Sequence, residues 1–147
     1  MRAVIQRVNS ARVETGSPAK IVGAIEKGLL VFLGIGKNDT TETVQKMAQR
    51  IPQLRIFEDD QGKMNRSLKE IGGEILVVSQ FTLYADTSQG LRPSFSEACE
   101  PNRAKELYER FIAELRYSGL KTETGIFGAK MKVKLENDGP VTFILEV

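Results

Sequence analysis

The chain has 147 residues, of which 41% are hydrophobic and 27% are charged. This length predicts one domain over residues 1–147 with a core of its own, and the composition is that of a globular rather than a disordered protein. The net charge of +2 is too small to indicate a nucleic-acid-binding protein by itself. The sequence has no histidine and one cysteine, Cys99, which excludes histidine-based catalytic triads, internal disulfides and zinc sites built on imidazole or several thiolates.

No membrane segment and no secretory signal are expected from the sequence. No apolar run approaches the roughly 18 residues that a membrane-spanning helix needs. The N-terminal stretch carries Arg2, Arg7 and Arg12 and no apolar block, unlike a signal peptide. A single cysteine is typical of a reducing compartment. These features favour a cytoplasmic protein without a membrane partner.

Hydrophobic periodicity predicts three strands and a helix in the first part of the chain. The strands are expected at Ala3–Val13, Ile21–Ile25 and Gly28–Ile35. The continuous apolar run in the third strand is typical of a strand that is covered on both faces. A helix is expected to begin at Asp39, with Glu42 as its capping-box partner, and to end at Pro52. A short strand at Leu54–Phe57 and an acidic turn at residues 58–62 follow.

The second half of the chain combines long elements with one irregular segment. Glu74–Tyr84 is predicted to be the strongest strand, and Asn102–Tyr117 has the apolar spacing of an amphipathic helix. Between them, Ala85–Glu100 has no periodic pattern, and a loop of this length is usually functional or mobile. Near the C-terminus, Met131–Leu135 and Val141–Val147 are predicted to pair as a hairpin. Strands and helices do not alternate regularly, so the predicted fold class is α+β: a mostly antiparallel sheet or barrel with two long helices on it.

Two segments depart from the hydrophobic pattern expected of the predicted strands. The polar residues of Ser79–Leu83 interrupt an apolar strand, which fits a strand emerging into solvent or a site at a strand end, and the first is the simpler interpretation. Gly139-Pro140 lies in the turn-forming sequence Asn137–Pro140. Its peptide bond can be trans, as in an ordinary turn, or cis, which costs only about 0.5–1 kcal/mol before proline. From the residues alone, the trans form is favoured.

Seven sequence motifs, spread over nearly the whole chain, match one known family. They are MRAVIQRV, GLLVFLGI, GKMNRSL, SQFTLYAD, RPSFSEA, TGIFGAKM and NDGPVT. The two most specific are Ser79–Leu83, which matches an SQFTL motif, and Asn137–Thr142, which matches an NxGPxT motif. With these motifs in order and at the matching spacing, the chain resembles the D-aminoacyl-tRNA deacylases, also called D-tyrosyl-tRNA deacylases.

The resemblance implies a homodimer in which each active site lies at the subunit interface. The Gly139-Pro140 unit would be cis and would be inserted by one subunit into the other's site as a chirality filter. The residues that the resemblance places at or near the substrate pocket are Ser79, Gln80, Phe81, Thr82, Phe127, Gly128, Ala129 and Met131. Arg7 is implied to hold the Gly-Pro orientation, and Asn137 and Thr142 to support the site. Arg66 stands where an apolar residue is commoner in the family, so no pocket role is carried over to it.

The reaction implied by the resemblance is ester hydrolysis of a D-amino acid from the 3′ end of tRNA. Aminoacyl-tRNA is the implied partner, and no DNA, metal or cofactor is expected. The backbone N–H groups of Phe81 and Thr82 can serve as oxyanion donors, which need no titrating side chain. The Thr82 hydroxyl is the obvious nucleophile, but it needs a base and the sequence offers no histidine. We therefore expect Thr82 to position the attacking water, with help from the 2′-hydroxyl of the terminal ribose.

Other functions fit parts of the same sequence. Rejection of L residues by steric clash predicts broad tolerance among D residues and activity on glycyl-tRNA. A binding module could capture aminoacyl or nucleotide ends without accelerating hydrolysis. A hydrolase could use Cys99, although its neighbours Ala98 and Glu100 do not favour a thiolate, so an incidental free thiol is expected there. A related fold could remove L-alanine from tRNA, and the state of Gly139-Pro140 would distinguish that activity.

Overall fold

The computed structural model describes residues 1–147, which form eight strands, two α-helices and two 3-10 turns. The strands are β1 Arg2–Thr15, β2 Lys20–Ile25, β3 Gly28–Gly34, β4 Phe57–Glu58, β5 Met64–Arg66, β6 Glu74–Ser79, β7 Thr122–Thr124 and β8 Met131–Glu146. The helices are α1 Thr41–Arg50 and α2 Pro101–Tyr117, and the 3-10 turns are Ile51–Gln53 and Phe81–Tyr84.

The long strand β1 lies at the centre of a six-stranded mixed sheet. One edge of β1 pairs antiparallel with β3 and then with β2, while its other edge pairs antiparallel with β8. Beyond β3, the sheet continues with β6 and β7 as parallel neighbours. Parallel neighbours need a crossover connection, commonly a helix. The chain forms these crossovers with α1, between β3 and β6, and with α2, between β6 and β7.

The sheet curls until β2 approaches β7, which makes it barrel-like. Gly23 allows this approach, because a Cβ at that position would lie 2.3 Å from the backbone oxygen of Thr124. Apolar residues cover both faces of β3, as predicted. Leu29 and Leu33 belong to the larger core cluster, which also contains the buried residues of α1 and α2, and Leu30 belongs to a second cluster on the opposite face. The predicted α+β class, with a mostly antiparallel barrel-like sheet and two helices, is confirmed.

The start of α1 differs from the sequence prediction. Thr40 caps the helix: its hydroxyl accepts a bond from the Thr43 amide at 3.4 Å, and its own amide donates to the Thr43 hydroxyl at 2.8 Å. The predicted pair of Asp39 and Glu42 is therefore wrong, because the Asp39 carboxylate is buried and accepts its hydrogen bonds from outside the helix. At the other end, Pro52 lies within a 3-10 turn that directly follows α1, since a proline fits the first turn of a helix.

The strand predicted over Glu74–Tyr84 ends at Ser79. Gln80 has φ −144° and ψ 78°, and the chain then enters the 3-10 turn Phe81–Tyr84. The Leu83 amide donates to the Gln80 oxygen at 3.3 Å, which closes the turn. The polar interruption of the apolar run therefore marks the end of a strand and a change of backbone conformation.

Of three further predictions, two are confirmed and one is wrong. The helix predicted over Asn102–Tyr117 is confirmed as α2, which begins one residue earlier, at Pro101, and is followed by Gly119 with φ 84°. The strand predicted at Leu54–Phe57 is wrong apart from its last residue, because the extended residues that pair with β5 are those of β4. Ala85–Glu100 contains only isolated bridges and is irregular as predicted.

The predicted C-terminal hairpin is wrong. β8 is one continuous strand that pairs with β1 from Thr15↔Met131 to Arg2↔Glu146. Each half of the predicted hairpin pairs with a different half of β1, which has 14 residues and is long enough for both. The turn-forming residues make a bulge instead: Gln6 lies opposite Thr142 and Val8 opposite Asn137, so residues 138–141 all face the single position of Arg7.

Candidate active site

An apolar cavity of about 280 Å³ lies between the sheet and the start of α2. Its lining, which is mostly hydrophobic, includes Leu33, Ile35, Ser79, Phe81, Phe127 and Gly128. A small apolar cavity with a few polar groups is the usual form of a small-ligand site. Among the residues placed at the pocket by sequence, Ser79, Phe81, Phe127 and Gly128 meet here.

The 3-10 turn Phe81–Tyr84 begins beside this cavity, because Phe81 is one of the lining residues. Its hydrogen bonds begin with the Leu83 amide, so the amides of Phe81 and Thr82 precede the first bond and have no acceptor within the turn, as at the start of any helix. The Phe81 side chain is 57% exposed and packs edge-to-face on Phe95, with ring centroids 5.0 Å apart. Phe95, in the irregular segment, was not singled out from the sequence.

The Thr82 hydroxyl is not activated by a base in this structure. Its oxygen accepts a short hydrogen bond from the side-chain amide of Gln80. A carboxamide N–H is a donor and cannot take up the hydroxyl proton. Thr82 and Gln80 therefore form a neutral pair, which suits orienting a water molecule better than generating an alkoxide.

The second group of predicted site residues lies at the bulge of β8. The Gly139-Pro140 peptide bond is cis, and both residues are exposed. The Asn137 side-chain amide donates to the Arg7 oxygen at 3.0 Å and to the Val141 oxygen at 3.2 Å, so it bridges the base of the bulge. Thr142, beyond the bulge, accepts a bond from Gln6 at 3.1 Å.

Arg7 holds the bulge from beneath. It is only 4% exposed, and its Nε donates to the Asp138 backbone oxygen at 3.2 Å and lies 2.8 Å from the Asp138 carboxylate. Its Nη1 donates to the Ile56 oxygen at 2.8 Å. Asp138 was missed from the sequence, although an acid beside Gly-Pro and an arginine without an acidic neighbour could have indicated the pair.

The two groups of residues do not meet within one chain. The cavity lining includes neither Gly139 nor Pro140, and the atoms nearest to a Cβ built on Gly139 belong to Asn137 and Val141. The remaining two pocket candidates, Ala129 and Met131, differ in their position relative to the cavity. Ala129 follows the cavity residue Gly128 and its amide donates to the Ile126 oxygen at 3.2 Å, whereas Met131 packs on the smaller core cluster.

Cys99 lines the same cavity, but its surroundings disfavour the thiolate form. Burial raises the pKa of its thiol, and the opposing effect of Arg103 is smaller. No group of three or more His, Cys, Asp or Glu side chains is placed to hold a metal ion. Neither α-helix has the length and hydropathy needed to cross a bilayer.

The curled α+β sheet thus carries an apolar cavity in a chain that has no histidine. The model of the family described as D-Tyr-tRNA(Tyr) deacylase matches residues 4–146. The chain belongs to this family, which confirms the resemblance drawn from its motifs, and it is an enzyme of the deacylase type, a hydrolase.

Curated relatives carry the name of this family, and two solved structures share the fold. The chain is 58% identical to a D-aminoacyl-tRNA deacylase of Thermotoga petrophila and 59% identical to one of Aquifex aeolicus, in each case over 99% of this chain and 97% of the relative. A solved structure titled c-Myc DNA Unwinding Element Binding Protein is 40% identical, has a TM-score of 0.93 and covers 100% of this chain and 99% of its own. A structure titled as a probable eukaryotic D-amino acid tRNA deacylase has a TM-score of 0.87 over 99% of this chain and 98% of its own. At 18% identity it supports the fold alone.

Proposed function

We propose that this chain hydrolyses the ester bond of D-aminoacyl-tRNA and releases the D-amino acid and free tRNA. The observation that supports the proposal is the pair of amides at Phe81 and Thr82, which have no acceptor within their turn, in a turn whose first residue, Phe81, lines an apolar cavity. Glycyl-tRNA is a further substrate, because glycine has no side chain to reject. We place this activity in the cytoplasm, in a single domain without a metal or cofactor, and expect no DNA partner.

The amides of Phe81 and Thr82 stabilise the negative charge that develops on the ester carbonyl oxygen. Such donors act without a proton transfer, and removing one typically costs about 10²–10³ in rate. An aminoacyl ester is already activated, so oxyanion stabilisation and a positioned water supply most of what the reaction needs. Gln80 donates to the Thr82 hydroxyl and cannot act as a base for it. The 2′-hydroxyl of the terminal ribose therefore assists the attacking water.

The Gly139-Pro140 unit acts on the cavity of a second copy of the chain. It is exposed and lies outside the cavity of its own subunit. β8 also exposes apolar side chains, with Ile144 76% and Phe143 37% accessible, which suits a surface covered in a dimer. A main-chain edge held by Arg7 and Asn137 can contact the substrate's α-amino group and leave no space for an L side chain.

The test is hydrolysis of matched D-Tyr-tRNA and L-Tyr-tRNA by the purified chain. We expect the D substrate to be hydrolysed about 100-fold faster or more, and a ratio of about tenfold, or ~1.4 kcal/mol, would contradict the proposed filter. Ala98→Trp, purified in parallel, is the control for a contaminating enzyme, because Ala98 lines the cavity and a large ring there should abolish activity.

The same assay separates the alternatives. Binding of D-aminoacyl-tRNA without hydrolysis above the spontaneous rate would indicate a binding module. Faster removal of L-alanine than of D-tyrosine would indicate a different editing activity. Alkylation of Cys99 would also block the cavity, so the variant Cys99→Ala decides the last alternative. Loss of activity in Cys99→Ala would indicate a thiol hydrolase.

A further inference from the structure

The turn Phe81–Tyr84 is fixed by a residue that lies outside the cavity, Arg2. Its Nη1 donates to the Leu83 backbone oxygen at 3.1 Å, and its guanidinium lies 4.7 Å from the centroid of the Tyr84 ring. A cation over an aromatic face is attracted by the ring quadrupole. Arg2 thus contacts both residues that directly follow Thr82, and it is not among the residues that line the cavity.

The Tyr84 ring also contacts the segment that follows β3, at Gly36 and Asp39. A Cβ at Gly36 would lie 2.7 Å from atoms of the ring, so the absence of a side chain there leaves the space that the ring occupies. The Asp39 carboxylate accepts a bond from the Gly36 amide at 2.7 Å and lies 3.5 Å from the Tyr84 hydroxyl. Tyr84 is therefore held by contacts with Arg2, Gly36 and Asp39.

We propose that Arg2 is a positioning residue for hydrolysis: it fixes the Phe81–Tyr84 turn so that the amides of Phe81 and Thr82 stay in the geometry that the transition state requires. This inference rests on the proposed function, which assigns those amides to the reaction. Leu83 donates the first hydrogen bond of the turn to Gln80 and receives the bond from Arg2. Loss of Arg2 therefore loosens the turn next to both donors. A misplacement of about 1 Å at a reacting group can cost about 10²-fold in rate.

Arg12 provides a matched control on the same strand. Arg2 is ion-paired with Glu146 at 2.8 Å and its side chain is 41% exposed. Arg12 is ion-paired with Glu14 at 2.9 Å and its side chain is 49% exposed. The two arginines share their strand, a similar exposure and an ion pair with a glutamate, although Glu146 is 58% exposed and Glu14 only 12%. Arg2 contacts the turn, whereas no contact of Arg12 with the turn is found. Arg2→Met and Arg12→Met each keep an apolar stem of similar length and remove the charge and the donors.

The experiment measures kcat and KM on D-Tyr-tRNA for Arg2→Met, Arg12→Met and Glu146→Gln, with thermal unfolding to confirm that each is folded at the assay temperature. We expect Arg2→Met to lower kcat about tenfold or more with KM within about twofold, the pattern of an interaction that serves the transition state. Arg12→Met and Glu146→Gln should stay within about twofold of wild type. Arg2→Lys, which keeps a donor for the Leu83 oxygen, should recover part of the loss.

A second measurement does not depend on activity. Hydrogen exchange of the Leu83 and Ala85 amides, which donate within the turn to Gln80 and Thr82, should be about fivefold faster or more in Arg2→Met and unchanged in Arg12→Met. If wild type does not hydrolyse D-aminoacyl-tRNA, the proposed function fails and this exchange alone decides whether Arg2 holds the turn. An unchanged exchange rate, a kcat within twofold of wild type, or a raised KM at constant kcat in Arg2→Met would overturn the inference.

Discussion

Replacement of Arg7 by methionine tests whether this buried side chain holds the Gly139-Pro140 bulge. The substitution removes the bonds to the Asp138 backbone oxygen and carboxylate, at 3.2 and 2.8 Å, and the bond to the Ile56 oxygen at 2.8 Å. Breaking a buried ion pair by removing one partner costs about 3–5 kcal/mol. Asp138 is 35% exposed and can regain water, so we expect the lower end of this range, about 3 kcal/mol.

Urea unfolding at pH 7 measures this loss. With a slope of about 1–3 kcal/mol per M, the midpoint should fall by roughly 1–3 M. Glu58 adds little to the estimate, because it lies 3.7 Å from Arg7 and is 60% exposed. Asp138→Asn separates the charge from the hydrogen bonds: it keeps an oxygen that can accept from Arg7 but leaves the buried guanidinium without its nearest carboxylate. We therefore expect it to cost a comparable amount, about 3 kcal/mol.

The functional consequence follows from the released bulge. Under conditions where Arg7→Met remains folded, hydrolysis of D-Tyr-tRNA should fall at least about tenfold, and the ratio of D to L rates should fall with it. A loss of stability below about 1 kcal/mol together with an unchanged ratio would refute the view that Arg7 supports the bulge.

Three more predictions follow from the same contacts. Thr82→Ala should lower kcat less than about tenfold if Thr82 orients water, and a loss beyond about 10³ in single-turnover assays would identify it as the nucleophile. Gly139→Val should lower D-Tyr-tRNA hydrolysis at least about tenfold, because a Cβ there would lie 2.6 Å from the Asn137 Oδ1; wild-type rates would disprove this. The pH profile of kcat should show no titration of a side chain at the cavity between about pH 6 and 9, because the sequence has no histidine and burial raises the pKa of Cys99, the one titratable side chain in the cavity lining. A bell-shaped profile in that range would reveal an acid or base that this account lacks.

Local sequence was sufficient where neighbours along the chain decide the structure. The apolar spacing of Asn102–Tyr117 specifies α2, and the apolar run of Gly28–Ile35 specifies a strand with both faces covered. Local sequence was misleading where residues distant along the chain decide the structure. Asp39 has the character of a helix cap, but the amino group of Met1, 38 positions earlier, donates to its carboxylate at 2.6 Å. Thr40 therefore caps α1 instead.

The C-terminal bulge shows the same limit. Asn137–Pro140 has the composition of a hairpin turn, and nothing local reveals that β1 is long enough to pair with both of its flanks. The motifs singled out Ser79, Phe81, Phe127 and Gly128, which line the cavity, and Gly139-Pro140, which lies in the bulge. Partners such as Asp138, which lies 131 positions from Arg7, depend on that long-range register and could be found only in the folded chain.

Mixing two inactive variants tests the central claim, that each cavity is completed by the bulge of a second copy. Ala98→Trp blocks the cavity but keeps the bulge, and Gly139→Val damages the bulge but keeps the cavity. If the bulge acts on the partner, mixed dimers contain one intact site each, and an equal mixture subjected to subunit exchange should recover about one quarter of the wild-type activity on D-Tyr-tRNA. If the mixture stays as inactive as its components while mixed dimers are shown to form, the bulge does not serve the neighbouring cavity.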